Sequence, residues 1–214
     1  MKHRLDLWKG EFGDAYHARN ALDESNIQDR AKWFREVFNH LLPFAPESIF
    51  EVGCGNGANL VALESMCNAL LRGAEPNARA RRNAVRQAPF ARIFDDAANR
   101  LTLSDREIDL VFTSGVLIHI PDEGLPDAMA EIHRVAKRFI LCAEYYGREV
   151  EEVPYRGEEG ALWRRPYGDL WMEQFPGLKP LAQGFAWKRT TGLDDLSWFL
   201  FEKSAYSCNA DRAW

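Results

Sequence analysis

One stretch, Ser48-Ile-Phe-Glu-Val-Gly-Cys-Gly-Asn-Gly-Ala-Asn-Leu60, constrains the fold of this chain more than any other. Ile49 to Val52 form an apolar run broken by a single acid, as a short buried strand requires. Gly53, Gly55 and Gly57 follow as a turn free of Cβ atoms, and Ala58 to Met66 continue at helical spacing. A strand that runs through glycines into a helix brings bare backbone against a ligand, and this is how an α/β nucleotide-binding unit opens.

The chain around it repeats that alternation. Upstream, Asn26 is placed to cap a helix in which Ile27, Ala31, Phe34, Phe38 and Leu41 recur at a period of 3.6 and which ends near Pro43. Downstream, strands are predicted over 69–75, 90–94, 108–113 and 139–143. Helices are predicted over 77–88 and from Asp122, where Leu125, Met129, Ile132 and Val135 share one face. Five alternations with short links argue for a parallel sheet covered on both faces. Past Ala143 the pattern changes. Residues 144–169 are polar, rich in Pro, Gly and aromatics, and too long for an ordinary strand-to-helix link. A short helix over 168–175 and two strands, 178–189 and 196–203, complete the pattern as an antiparallel hairpin on one sheet edge. The expected fold is α/β: a three-layer, Rossmann-like, seven-stranded and mostly parallel sheet with a C-terminal antiparallel hairpin and helices on both faces. The expected organisation is one domain over 1–214. It comprises an N-terminal lid and helix (1–45), a cofactor-binding core (46–143), a substrate-side insertion (144–169) and a C-terminal helix and hairpin (170–214).

Composition narrows the function classes. With 214 residues, 46% apolar and 28% charged, the chain has the make-up of an ordinary globular protein. A net charge of -5 argues against nucleic acid as its main partner, and the arginines of 79–82 and Arg86 read as a solvated helix face. The four cysteines, Cys54, Cys67, Cys142 and Cys208, show neither a C-x-x-C pair nor metal spacing, so no metal is expected. No apolar run approaches the roughly 20 residues that span a bilayer, and the first residues lack the apolar core of a signal peptide. The expectation is a cytoplasmic monomer or homodimer in a reducing compartment, with a small-molecule substrate and neither membrane nor nucleic-acid binding.

The glycine spacing separates ligand classes. Dinucleotide sites favour G-x-G-x-x-G, whereas here the order is Gly53-x-Gly55-x-Gly57 with Glu51 two residues ahead. A carboxylate beside the glycine backbone is a poor neighbour for phosphate and a good one for an ammonium group. Glu75 stands 18 residues past Gly57, at the end of the second predicted strand, where an acid can hold both hydroxyls of a ribose. Glu51-Val-Gly-Cys-Gly-Asn-Gly57 resembles the first motif of class I S-adenosylmethionine-dependent methyltransferases, and Asp109 to Asp122 resembles the fourth-strand motif of the same family. The resemblance implies S-adenosyl-L-methionine as cofactor, with S-adenosyl-L-homocysteine as product. It implies a cradle of Glu51, Gly53, Gly55, Gly57 and Glu75, with Asp96 and Ala97 at the adenine and Thr113, Ser114 and Gly115 beneath the methionine part. NAD is disfavoured by Glu51 and the glycine spacing.

The flanks carry the acceptor. Trp8, Phe12 and Tyr16 recur every four residues, the spacing that stacks side chains on one helix face, although Gly10 and Gly13 argue against one long helix. They read as a strap over the sheet or as an aromatic lid. Trp8 to Asn20, Glu144-Tyr-Tyr146, Pro154-Tyr-Arg-Gly157 and Leu162-Trp-Arg-Arg165 resemble the methylases associated with pseudaminic acid biosynthesis. The candidate bases are His119, Glu144 and Tyr146, all beyond strand ends; a neutral imidazole suits the role near pH 7. Candidate lid and substrate contacts are Trp8, Phe12, Tyr16, Arg19, Tyr145, Tyr155, Arg156, Trp163 and Arg164. Together they suit a polar small molecule, an anionic one included. The resulting expectation is O- or N-methylation of a sugar or amino-sugar derivative. Rival readings are N-methylation of an amino-acid-derived natural product and a non-catalytic module that binds the cofactor.

Overall fold

The computed structural model describes residues 2–20 and 22–204. Cys208 and the end of the expected C-terminal unit lie outside the described residues. Seven strands form the main sheet: β1 (Ser48–Val52), β2 (Leu70–Ala74), β3 (Arg92–Phe94), β4 (Ile108–Ser114), β5 (Ala136–Glu144), β8 (Leu178–Ala186) and β9 (Leu196–Lys203). Their order is β3-β2-β1-β4-β5-β9-β8. The first five run parallel, while β9 pairs antiparallel with both β5 and β8, as the hairpin expectation requires. The order reverses between β1 and β4, so a crevice opens past their C-terminal ends.

Alternate residues of the strands feed two cores, which is why the sheet needs cover on both faces. Ile49, Leu110, Phe112 and Leu141 pack with Phe34 and Val37 of α3 (Glu24–Asn39) and with Leu60 and Leu63 of α4 (Ala58–Glu64). Phe50, Val111, Ile140 and Cys142 pack instead with Met129 and Ile132 of α6 (Leu125–Val135) and Trp171 of α7 (Tyr167–Gln174). Each fully buried Phe, Leu or Ile of these layers contributes about 1.5–3 kcal/mol of transfer free energy. On the first of these faces lies α5 (Ala78–Gln87), which packs Ala84 and is capped by Asn77, whose side chain accepts from the Ala80 N–H at 2.8 Å.

Two local expectations are corrected, and two connections gain detail. The N-cap of α3 is Asp23, which accepts from the Ser25 N–H at 3.3 Å; Asn26 lies inside the helix and accepts from Arg30 Nε. The link 95–107 between β3 and β4 is irregular, and Arg134 of α6 donates to its Leu101 and Leu103 carbonyls at 2.9 Å. The strand predicted over 178–189 stops at Ala186, and Lys188–Thr191 turn as a short helix, α8, which ends at Gly192 with φ 65°. The 144–169 excursion is anchored by its own two-stranded ribbon, β6 (Glu151–Glu152) with β7 (Trp163–Arg164).

The N-terminal segment forms α1 (Lys2–Lys9) and α2 (Glu11–Arg19), separated at Gly10. Gly13 lets the two helices meet, since a Cβ there would sit 1.9 Å from the Trp8 carbonyl oxygen. Two asparagines tie this strap to the sheet edge. Asn77 Nδ2 donates to the Trp8 carbonyl and to Asp14 at 3.0 Å, and Asn56 Nδ2 donates to the carbonyls of His17 at 2.8 Å and Asn20 at 2.9 Å.

Candidate active site at the sheet edge

A cavity of about 340 Å³ lies past the C-terminal ends of β1, β2, β3 and β4, under the strap. Of the residues singled out in the sequence, Glu51, Gly53, Gly55, Glu75, Asp96, Ala97, Ser114, Gly115, His119, Trp8, Tyr16, Tyr145 and Tyr155 line it. Strand ends, the strap above them and the 144–169 excursion together bring these residues to one edge.

The cradle is built from buried acids and bare backbone. Glu51 is 2% exposed; Asn59 Nδ2 donates to its Oε1 at 2.6 Å, and its Oε2 is buried without a partner. Burial pushes its pKa up to about 8, against the pull of the Asn59 hydrogen bond and the nearby Arg30 guanidinium. An unpartnered carboxylate oxygen at a cavity wall is costly and calls for a cationic donor. Glu75 receives the Asn77 N–H at 2.7 Å on Oε1 and the Gly55 N–H at 2.9 Å on Oε2, and burial raises its pKa to about 7. Asp96 Oδ2 accepts from the backbone and hydroxyl of Thr102 at 2.9 and 2.8 Å, which fixes the acid at the cavity edge. A Cβ on Gly53 would meet Val116 at 2.6 Å and one on Gly55 would meet His17 at 3.3 Å, and both residues hold a positive φ. Gly57 has another task. It caps α4 with φ 87°, and a Cβ there would press on Ala84 of α5 at 3.3 Å.

Across the cavity stands an aromatic wall. The imidazole of His119, in the short 3-10 turn Leu117–His119, lies between the Trp8 indole at 4.2 Å and the Tyr155 ring at 5.5 Å. Its Nδ1 is 2.7 Å from the Ala161 carbonyl oxygen. A carbonyl only accepts, so Nδ1 carries the proton and Nε2 is left as the acceptor. Burial lowers the pKa of this ring to about 4 and keeps it neutral. Phe12 backs the wall, edge-on to Trp8 at 5.3 Å and to Tyr155 at 6.1 Å, without joining the cavity lining.

The remaining candidates lie elsewhere. Glu144 is 1% exposed and stands behind the site, not in its lining: its Oε2 accepts from the N–H groups of Val116 at 3.0 Å and Ile118 at 3.3 Å, with Thr113 beside it. It therefore holds the turn that presents His119. Thr113 is fully buried, Tyr146 is 52% exposed, and both are outside the lining. Arg19 and Arg156 are exposed, Arg164 is exposed and paired with Glu151 at 3.4 Å, and Trp163, in β7 of the ribbon, is buried with the Arg165 guanidinium over its ring. None of these four lines the cavity.

Several lining residues carry no motif and were missed. His17 and Arg30 reach the cradle from α2 and α3, while Lys188 and Asp194 come from the turn between β8 and β9. Asp194 takes the Lys188 ammonium at 2.7 Å and the Tyr145 hydroxyl at 3.0 Å. Arg165, next to the singled-out Arg164, is the buried member of the pair. It donates to Asp122 at 2.7 Å and to the Tyr167 hydroxyl at 3.2 Å.

Residues 49–138 match the Methyltransf_25 family, whose model describes a methyltransferase domain. Solved structures share the fold. Magnesium protoporphyrin IX methyltransferase of Synechocystis PCC 6803, with bound SAM, is similar at a TM-score of 0.69 and 13% identity, over 94% of this chain and 95% of that one. The 1,6-didemethyltoxoflavin-N1-methyltransferase of Burkholderia thailandensis, with bound 1,6-didemethyltoxoflavin and S-adenosylhomocysteine, is similar at 0.70 and 14%, over 95% and 90%. The [4+2]-cyclase SpnF is similar at 0.61 and 15%, over 81% of each chain. No match was found among curated proteins. The fold is thus the Rossmann-like one that these solved structures share. Residues 49–138 carry the match to a methyltransferase domain, and the cofactor that the glycine motif implies by its resemblance is S-adenosyl-L-methionine. The residues present fit that cofactor: the orphaned Glu51 Oε2 suits its ammonium, and Gly53 and Gly55 keep clear the space a Cβ would fill.

Proposed function

We propose that the protein is an enzyme that methylates an oxygen or nitrogen of a small polar metabolite, a sugar or amino-sugar derivative, in the cytoplasm. The observation that carries this reading is the continuity of one cavity from the acid-and-glycine cradle to the aromatic wall around His119. In this reading Glu51 holds the ammonium of the cofactor, Glu75 the ribose, and Asp96 with Ala97 the adenine. The bound cofactor supplies an electrophilic methyl group on a sulfonium. Trp8 and Tyr16 exclude water and fix the acceptor, a positioning effect that accounts for several kcal/mol of barrier lowering. His119 Nε2 takes the proton of the attacking hydroxyl or amine.

The wall favours a neutral or amine-bearing acceptor over an anionic one. Its polar groups are the Tyr145 hydroxyl, Tyr155 and the Asp194 carboxylate; Lys188 is engaged by Asp194, and Arg30 by Asn26 and Asn59. Likeness to a cyclase as well as to methyltransferases means that fold alone does not fix the reaction. The test incubates the protein with methyl-labelled cofactor and a cell extract split into dialysable and macromolecular fractions. Label is expected in a dialysable product and lost in His119→Asn; label confined to macromolecules, or none transferred, sinks the reading.

A further inference from the structure

His17 belongs to the strap, yet its side chain reaches the sheet edge. The imidazole is 7% exposed and lines the cavity, its ring packed over Gly55 and edge-on to Tyr16 at 5.1 Å. Its backbone carbonyl is fixed by Asn56 Nδ2 at 2.8 Å, from the glycine turn itself. Its Nε2 stands 4.0 Å from Glu75 Oε1. That gap is too long for a direct hydrogen bond, and a single hydroxyl oxygen between the two groups can reach both.

Glu75 alone cannot satisfy a vicinal diol. As a carboxylate it only accepts, and each of its oxygens already receives one backbone N–H, so it can take the two hydroxyl protons and offer nothing to the hydroxyl oxygens. A neutral imidazole beside it supplies the missing complement, one N–H donor and one acceptor. Burial lowers the pKa of His17 to about 4, so the ring stays neutral at physiological pH.

We propose that His17 is the second arm of a ribose clamp: with Glu75 it brackets the diol of the cofactor, so that closure of the N-terminal strap depends on that diol. This rests on the cofactor reading above. Glu75 enters from the sheet and His17 from a separate element, so the clamp closes only when α2 lies on the glycine turn. The strap is then held down by Asn56, Asn77 and the bound diol together, and the nucleoside is exchanged only when the strap lifts. The same closure sets Trp8 against His119, which links cofactor binding to assembly of the acceptor wall.

The test is calorimetry with S-adenosylhomocysteine and its 2′,3′-dideoxy counterpart on the wild type, His17→Ala and His17→Gln, with hydrogen exchange over 11–19. His17→Ala is expected to weaken S-adenosylhomocysteine about 10-fold, with His17→Gln between it and wild type. The dideoxy compound is expected to bind both variants as it binds wild type. S-adenosylhomocysteine should slow exchange in α2 of the wild type and not in that of His17→Ala. Unchanged affinity in His17→Ala, or an equal loss with both ligands, would overturn the clamp and leave the cofactor reading intact. Failure of the wild type to bind S-adenosylhomocysteine would overturn both.

Discussion

The indole of Trp8 lies 4.2 Å from the imidazole of His119, ring centre to ring centre, with the planes 46° apart. One ring comes from the N-terminal strap and the other from the turn after β4, so the contact exists only when the strap is closed. It also removes water from the imidazole, and burial is what holds the pKa of that ring near 4. Trp8→Ala should therefore move the His119 pKa upward, toward the ordinary value of about 6.5. An NMR titration of the ring proton reads it directly; a pKa that stays near 4 would show that the strap does not desolvate the ring.

Stability should fall as pH rises from neutrality in the cofactor-free protein. Glu51, Glu75 and Glu144 have folded-state pKa values raised by burial to about 8, 7 and 7, so the folded state retains protons that the unfolded chain has released. Their contribution is present below the unfolded value of about 4.5 and is lost as pH climbs through 7 and 8. His17, His119 and His133 are lowered to about 4 and act oppositely, adding stability as pH rises from 4 to about 6.5. Thermal melts should show Tm declining from roughly pH 6.5 to 8.5. Glu51→Gln should decline less steeply, and a slope equal to wild type would contradict the burial of Glu51 as its cause.

Gly57 supports the site indirectly. Its φ is 87°, and an added Cβ would touch Ala84 Cα at 3.3 Å. Gly57→Ala should cost about 1–3 kcal/mol through the left-handed backbone and the crowded α4–α5 contact. Differential scanning calorimetry should show Tm lowered by roughly 3–10 °C. A variant as stable as the wild type would mean that the helices relax apart at no cost.

Much of this architecture is legible in the sequence, for a physical reason. Parallel strands buried on both faces are continuous apolar runs, so β1, β4 and β5 declare themselves, and Gly53, Gly55, Glu51, Glu75 and Asp96 fall at strand ends that any such sheet brings to one edge. Roles that depend on facing are not legible. Arg164 and Arg165 are adjacent, yet one is exposed against Glu151 and the other is fully buried against Asp122; a two-residue strand carries no periodicity to tell them apart. Glu144 sits one residue from the lining Tyr145, but its carboxylate points back into the N–H groups of Val116 and Ile118. Asp194 and Lys188 reach the cavity because β8 ends early and α8 turns there, and no local pattern marks a contact made from the far edge of the sheet.

Glu75 offers a pH-dependent test of the ribose assignment. Its pKa, near 7, means that S-adenosylhomocysteine should bind more tightly as pH rises from roughly 6 to 8, because the ionised carboxylate is the better acceptor. Glu75→Gln should bind more weakly at the upper end and show a shallower slope, the remainder belonging to Glu51; a variant with the wild-type affinity and slope would remove Glu75 from the site.

The cradle as a whole is tested most directly by titrating the wild-type protein with S-adenosylhomocysteine and, separately, with NAD in a calorimeter. Saturable binding of S-adenosylhomocysteine with one molecule per chain, weakened at least tenfold in Glu51→Ala, and no heat with NAD, is the predicted result. Binding of NAD with none of S-adenosylhomocysteine would contradict it.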